Sequence, residues 1–286
     1  MRKTALLIIG IVTLSSCLHK ISKILKANSH ENSTVGRILK SDDAEYKYKM
    51  AEQFYANKKY NEAQELFEDL FKVYKGTDKY EDMYYKWAYC FYYEKDYANA
   101  ENTFKTFTET FPNSTKTEEC EYMRAYSFYK QSPKVDLDQT NTGRAIALMQ
   151  AFINTHPTSL RVKDANDIID KCREKLEDKD FRSAQLYYDL GYFKAAAICF
   201  STVNENYPDS KRSDEYKLQE IKSYYKYAEL STDDKRPERF EKVISECSDF
   251  NERFKESKLL SEVNKYKTQA NNYLKTIKNE QIKKAS

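Results

Sequence analysis

The sequence predicts an all-α chain made of about five helical hairpins stacked in series. Three observations predict it. Helix breakers are scarce, with 5 glycines and 5 prolines in 286 residues. A short signature of aromatic-Pro/Lys-x-Ser/Thr type recurs along the chain. Upstream of each copy, apolar residues fall at helical spacing. A mean hydropathy of -0.86 would suit a disordered chain. The 40 % hydrophobic and 14 % aromatic content is instead enough to bury a core. A net charge of +3, with Lys and Glu mixed throughout, describes solvated helix surfaces and argues against a nucleic-acid binder.

The N-terminus reads as an export signal. Arg2 and Lys3 precede the apolar run from Ala5 to Leu14. That run is too short for a bilayer, which takes about 20 residues, and has the length of a signal-peptide core. Leu14-Ser15-Ser16-Cys17 follows. It resembles the bacterial lipobox, which implies cleavage between Ser16 and Cys17 and acyl chains on the Cys17 thiol. The alternative is an ordinary secretory signal with an incidental cysteine. The divisions are a signal peptide at 1–16 and a lipidated tether at 17–43, which as a flexible coil reaches roughly 30 Å. No acidic surface-export tag follows Cys17, so the expected place is the outer membrane, with the domain facing the periplasm.

The repeats come next. The copies of the signature are Tyr74-Lys75-Gly76-Thr77, Phe111-Pro112-Asn113-Ser114, His156-Pro157-Thr158-Ser159, Tyr207-Pro208-Asp209-Ser210 and Phe254-Lys255-Glu256-Ser257. Twelve residues before the second position of each copy stand Ala63, Ala100, Ala145, Ala196 and Val243. Four residues further on are Phe67, Phe104, Met149, Phe200 and Cys247, and three beyond those Leu70, Phe107, Phe152, Val203 and Phe250. Small, large and large at these offsets mark one helix face. The small residue permits close helix approach, proline stops the helix, and the Ser or Thr can cap the next one. The pattern resembles the tetratricopeptide repeat and implies a solenoid. N-terminal repeats occupy 44–130, C-terminal repeats 131–258 with an insert at 131–142 (QSPKVDLDQTNT), and a capping helix and tail 259–286.

Further motifs narrow the resemblance. They are Tyr122-Met123-Arg124-Ala125, Val135-Asp136 ahead of Arg144-Ala145-Ile146, and Ala184-Gln185-Leu186-Tyr187-Tyr188 followed by Gly191-Tyr192-Phe193-Lys194-Ala195-Ala196. From about Ala44 to Ala228 the chain resembles the BamD family, the repeat lipoproteins of the outer-membrane β-barrel assembly machinery. The resemblance implies a scaffold whose C-terminal half docks on the periplasmic domains of the barrel-forming subunit. It also implies an N-terminal half that helps receive unfolded outer-membrane proteins. The fifth repeat departs, with Lys255 for proline and Val243 for alanine. Two other readings remain open: a repeat lipoprotein of envelope-integrity or peptidoglycan machinery, and a glycan-capture lipoprotein.

Helical geometry assigns a candidate peptide groove. Flanking the small residue of each first helix, three positions give Tyr48, Glu52 and Tyr55, then Tyr85, Tyr89 and Tyr92, then Tyr122, Tyr126 and Tyr129. Later hairpins give Phe181, Gln185 and Tyr188, then Leu218, Lys222 and Tyr225. Tyrosine combines broad contact with a hydroxyl at low side-chain entropy. The same stripe would equally serve as helix-packing core. No catalytic, metal-binding or cofactor motif stands out. Cys90, Cys120, Cys172, Cys199 and Cys247 form no C-x-x-C pair, which leaves core packing or one disulfide. The glycines are scattered and histidines are only His19, His30 and His156. The protein reads as a non-enzyme.

Overall fold

The computed structural model describes residues 34–285, so Ser16, Cys17 and the signal peptide lie outside the described residues. Among the described residues there are helices and turns and no strand. The chain divides into two compact units, one of residues 34–132 and 140–169, the other of 133–139 and 170–285.

The first unit begins with α1 (Thr34–Leu39), whose Val35 and Ile38 are buried in the core. The end of the expected tether at 17–43 is therefore part of the fold, because two aliphatic residues find a covered apolar site there. Hairpins follow: α2 (Ala44–Ala56) with α3 (Tyr60–Tyr74), α4 (Asp78–Tyr93) with α5 (Tyr97–Thr110), and α6 (Thr117–Gln131) with α7 (Thr140–Thr155). Asp43 and Asp96 cap α2 and α5 by accepting the Tyr46 and Asn99 amides at 2.9 and 3.2 Å. The hairpin tips share one chain reversal. Lys59 N–H donates to Phe54 C=O and Asp96 N–H to Phe91 C=O, with Lys58 and Lys95 at φ 60° and 64°. These are Schellman closures made without glycine.

α8 (Val162–Asp189) starts in the first unit and continues into the second from Asp170. The second unit adds α9 (Phe193–Asn206), α10 (Ser213–Glu229), α11 (Arg236–Arg253) and α12 (Leu260–Ala285). The α8–α9 tip uses the same reversal, with Gly191 at φ 80°. The insert is shorter than the predicted 131–142, since Gln131 ends α6 and Thr140 opens α7. It is held to α8 by Lys175 and Lys179, which donate to the Pro133 and Leu137 carbonyls, and by Arg182 paired with Asp136.

The packing residues follow the predicted offsets. All fifteen second-helix positions, from Ala63 to Phe250, are no more than 2 % exposed. The first-helix residues Ala51, Ala88, Ala125, Ala184 and Ile221 are fully buried. Cys90, Cys120, Cys172 and Cys247 are buried, Cys199 is half-buried, and all five are free thiols. Burial pushes the Cys90 and Cys247 thiols up to about 12, which keeps them as unreactive packing groups.

The signature serine does more than cap. Ser114, Ser159, Ser210 and Ser257 each accept the amide two residues on, at 3.0–3.1 Å. Each also donates to a carboxylate on the preceding first helix. Ser114 reaches Glu81 at 2.6 Å, Ser159 Glu118 at 2.5 Å and Ser257 Asp214 at 2.6 Å, and Ser210 reaches Glu177. Each serine thus ties one first helix to the start of the next. Replacing Ser114 with alanine leaves Glu81 without its partner. It is expected to lower stability by about 1–2 kcal/mol, measured as a shift of the urea midpoint with unchanged slope.

Candidate peptide-binding site

Of the predicted groove positions, the first in each hairpin is already covered. Two residues after the signature Ser or Thr of the first four copies stands a cation: Lys79, Lys116, Arg161 and Arg212. Lys79 lies 4.6 Å from the Tyr48 ring centroid, Lys116 5.0 Å from Tyr85, Arg161 4.4 Å from Tyr122 and Arg212 4.5 Å from Phe181. In the fifth hairpin the ring is Leu218 and the cation Leu259, and both pack in the second unit's apolar core. Tyr48, Tyr85 and Tyr122 therefore serve the joint between successive first helices through cation–ring contact.

The third-hairpin joint is the most developed. Arg161 donates twice to Glu119, at 2.6 and 2.7 Å, and the Tyr89 hydroxyl donates to the same carboxylate at 2.6 Å. Burial first, then the Glu119 hydrogen bond, drives the Tyr89 phenol far above its ordinary range. Tyr89 and Tyr122 are buried; they support the face from beneath. In the sequence Glu119 reads only as part of a solvated acidic helix face, Glu118-Glu119-Glu121, and Arg161 is not singled out. The recurring cation after the serine was the available signal.

What remains is a connected run of rings. Tyr55 meets Tyr60 at 5.7 Å, and Tyr60 stacks on Tyr93 at 4.5 Å. Tyr93 contacts Tyr89 at 5.6 Å and Tyr92 at 5.5 Å. Tyr92 crosses to Tyr126 at 6.2 Å, which touches Tyr122 and Tyr129 at 5.8 and 5.7 Å. Tyr85 joins through Tyr89 at 4.9 Å. The structure thus links Tyr55, Tyr85, Tyr89, Tyr92, Tyr122, Tyr126 and Tyr129, while Tyr48 pairs with Tyr74 at 5.7 Å. It adds Tyr60 and Tyr93. Among the described residues, the hydroxyls of Tyr55, Tyr92, Tyr93, Tyr126 and Tyr129 make no hydrogen bond to protein. Tyr93 is the most open of the run, at 44 % exposure. Burial pushes Tyr92 up to about 12, so it offers a neutral hydroxyl. Half-buried flat rings with unclaimed hydroxyls can pack side chains and hydrogen-bond an extended backbone. Trp87, the one tryptophan, is packed against Phe71, Tyr84 and Phe91.

In the second unit the corresponding positions differ. Tyr188 packs on Phe193, Tyr225 on Phe240 and Tyr266, and Lys222 pairs with Glu262. Beside them sits a charge cluster centred on the buried side chains of Lys217, Glu220 and Glu246. Lys217 bonds Glu246, lies 2.9 Å from Asp249 and 3.2 Å from Glu220, and Lys242 also bonds Glu246. Three carboxylates thus face two ammonium groups. Burial, helped by the neighbouring Glu246 charge, lifts Glu220 from near 4.5 up to about 7. Burial opposes ionisation of Glu246 as well, but hydrogen bonds from Lys217 and Lys242 hold it below the usual range. Among the described residues, no group of His, Cys, Asp and Glu side chains could hold a metal ion.

The family model described as YfiO, outer membrane lipoprotein, matches residues 40–236. No curated protein matches the chain. Among solved structures, the TPR2AB-domain:pHSP90 complex of yeast Sti1 is similar over 80 % of this chain and 98 % of its own, at 11 % identity and a TM-score of 0.39.

Glu220 generates a pH prediction. The folded state binds its proton more tightly than the unfolded chain does. The resulting stabilisation is complete below about 4.5 and is lost as pH rises through about 7. Glu220→Gln is expected to match the native chain at low pH. It should exceed it in stability by on the order of 2 kcal/mol at pH 8, read from urea denaturation across pH.

Proposed function

Because the chain belongs to the YfiO family of outer membrane lipoproteins, we propose that it is a lipid-anchored scaffold for the assembly of outer-membrane β-barrels. The chain is a helical-repeat protein of a lipoprotein family, and among the described residues no helix is long and apolar enough to cross a membrane. The observation that carries the finer reading is the tyrosine run of the first unit. Its half-buried rings and free hydroxyls suit an extended segment that alternates apolar and polar side chains, as barrel strands do.

In this reading the first unit receives unfolded barrel proteins along Tyr55, Tyr92, Tyr93, Tyr126 and Tyr129. The second unit docks on the periplasmic domains of the barrel-forming subunit. The mixed charge of the chain supports recognition by ring contact and hydrogen bonding over electrostatic capture. No catalytic step is assigned.

Alanine at Tyr92, Tyr93 and Tyr126 together tests the run, since none of the three is a fully buried core residue. Binding of a peptide from the last strand of a barrel protein is expected to weaken at least about tenfold, with the helical circular-dichroism spectrum retained. Equal binding by the triple variant would remove the tyrosine run from the proposal. Photo-crosslinking from those positions in cells should enrich barrel proteins; enrichment of peptidoglycan enzymes would favour the other envelope scaffold.

Lipidation of Cys17 is part of the same proposal. Each buried methylene contributes about 0.8 kcal/mol to membrane attachment. Cys17→Ser is expected to move the protein from the membrane to the soluble fraction with loss of the acyl mass. Retention in the membrane fraction would count against an acyl anchor.

A further inference from the structure

One cleft of the first unit stands apart from the tyrosine run. It encloses about 380 Å3 between α5, α6 and α7 and is lined by Glu101, Lys105, Arg124, Phe128, Arg144 and Leu148, among others. Arg124 and Arg144 belong to two separate sequence motifs, Tyr122-Met123-Arg124-Ala125 and Arg144-Ala145-Ile146. Folding brings both to this one cleft.

Its polar groups are incompletely matched. Arg124 Nε is buried and makes no hydrogen bond. The Glu101 carboxylate oxygen facing it is 3.7 Å away and is itself buried without a hydrogen bond, a separation too long for one. Burying such groups unmatched is costly. The Arg144 guanidinium lies 5.6 Å from the Phe128 ring centroid, and among the described residues it pairs with no carboxylate. Lys105 reaches Glu109 on its own helix at 3.6 Å. Three cations thus line a cleft with a single carboxylate. Its floor is apolar, with Phe128 buried and Leu148 half-buried.

We propose that this cleft is a carboxylate clamp. It takes a carboxylate carried on a short apolar stem, as in a glutamate side chain or the free C-terminus of a peptide. Guanidinium groups present paired N–H donors that match the two oxygens of a carboxylate. The stem lies against Phe128 and Leu148. The volume is at the small end for ligand clefts and suits one side chain.

The test follows the Nε–H resonances of Arg124 and Arg144 in the full chain during titration with 3-phenylpropionate. Both are expected to shift and saturate. The neutral 3-phenylpropionamide should leave them unmoved, and Arg144→Gln should weaken binding at least about tenfold. Arg144 is exposed, so that variant keeps the fold. Alanine at Tyr92, Tyr93 and Tyr126 should leave this titration unchanged, which separates the clamp from the tyrosine run. Two tripeptides identify the source: one with an internal glutamate and an amidated end, one with no acidic side chain and a free end. Displacement by either supports the proposal and names the group; displacement by neither overturns it. Equal binding of the amide would make the cleft a plain apolar pocket. Equal shifts with inorganic phosphate would make it an unselective anion patch. Unmoved resonances would end the idea.

Discussion

Close approach of paired helices at a methyl-sized side chain is the constraint from which the other features follow. Where Ala51, Ala63, Ala88 and Ala100 sit at the crossings, backbones come near enough for Phe67, Phe104 and their counterparts to fill the space beside them with no exposure. A larger residue at the crossing would push the helices apart and open voids around every bulky neighbour. The turns then have fixed work. They must reverse the chain within a few residues, as Lys58, Lys95 and Gly191 do in left-handed backbone, and they must bind each first helix to the next.

That second task explains what was legible in the sequence and what was not. The small-large-large offsets are local, three and four residues apart, so reading them from Ala63 to Phe250 located the core directly. The serine's partner is not local: Glu81 lies 33 residues before Ser114. The cation covering each first-helix ring is likewise far from that ring in sequence. Tyr48, Tyr85 and Tyr122 therefore read as groove positions alongside Tyr92 and Tyr126, because periodicity along one helix cannot show which rings a distant turn will cover. Val35 and Ile38 were hidden differently, since two aliphatic residues in a polar stretch give no period. The charge cluster around Lys217 was also invisible: each member is an ordinary helix-surface residue type, and only the packing of α10 on α11 buries Lys217, Glu220 and Glu246 together.

The same division of labour organises the tyrosines. Tyr89 and Tyr122, held by Glu119 and Arg161, are structural rings with their polar atoms or faces occupied. Tyr55, Tyr92, Tyr93, Tyr126 and Tyr129 keep their hydroxyls free while their rings touch one another. A surface of this kind is rigid in its rings and adaptable in its hydrogen bonds. It suits a protein that must accept many sequences sharing a conformation, and it matches the scaffold proposed for this family member. In the second unit the equivalent aromatics Tyr188 and Tyr225 pack on Phe193, Phe240 and Tyr266.

The pairing at Leu218 and Leu259 has a consequence for how the joints tolerate change. In four hairpins a ring and a cation face each other; in the fifth both positions are leucine. Altering one member alone would strand a positive charge over an aliphatic residue or uncover an aromatic. The two positions therefore act as one coupled joint: exchanging a single member would loosen the seam between neighbouring hairpins, whereas exchanging both together would preserve it.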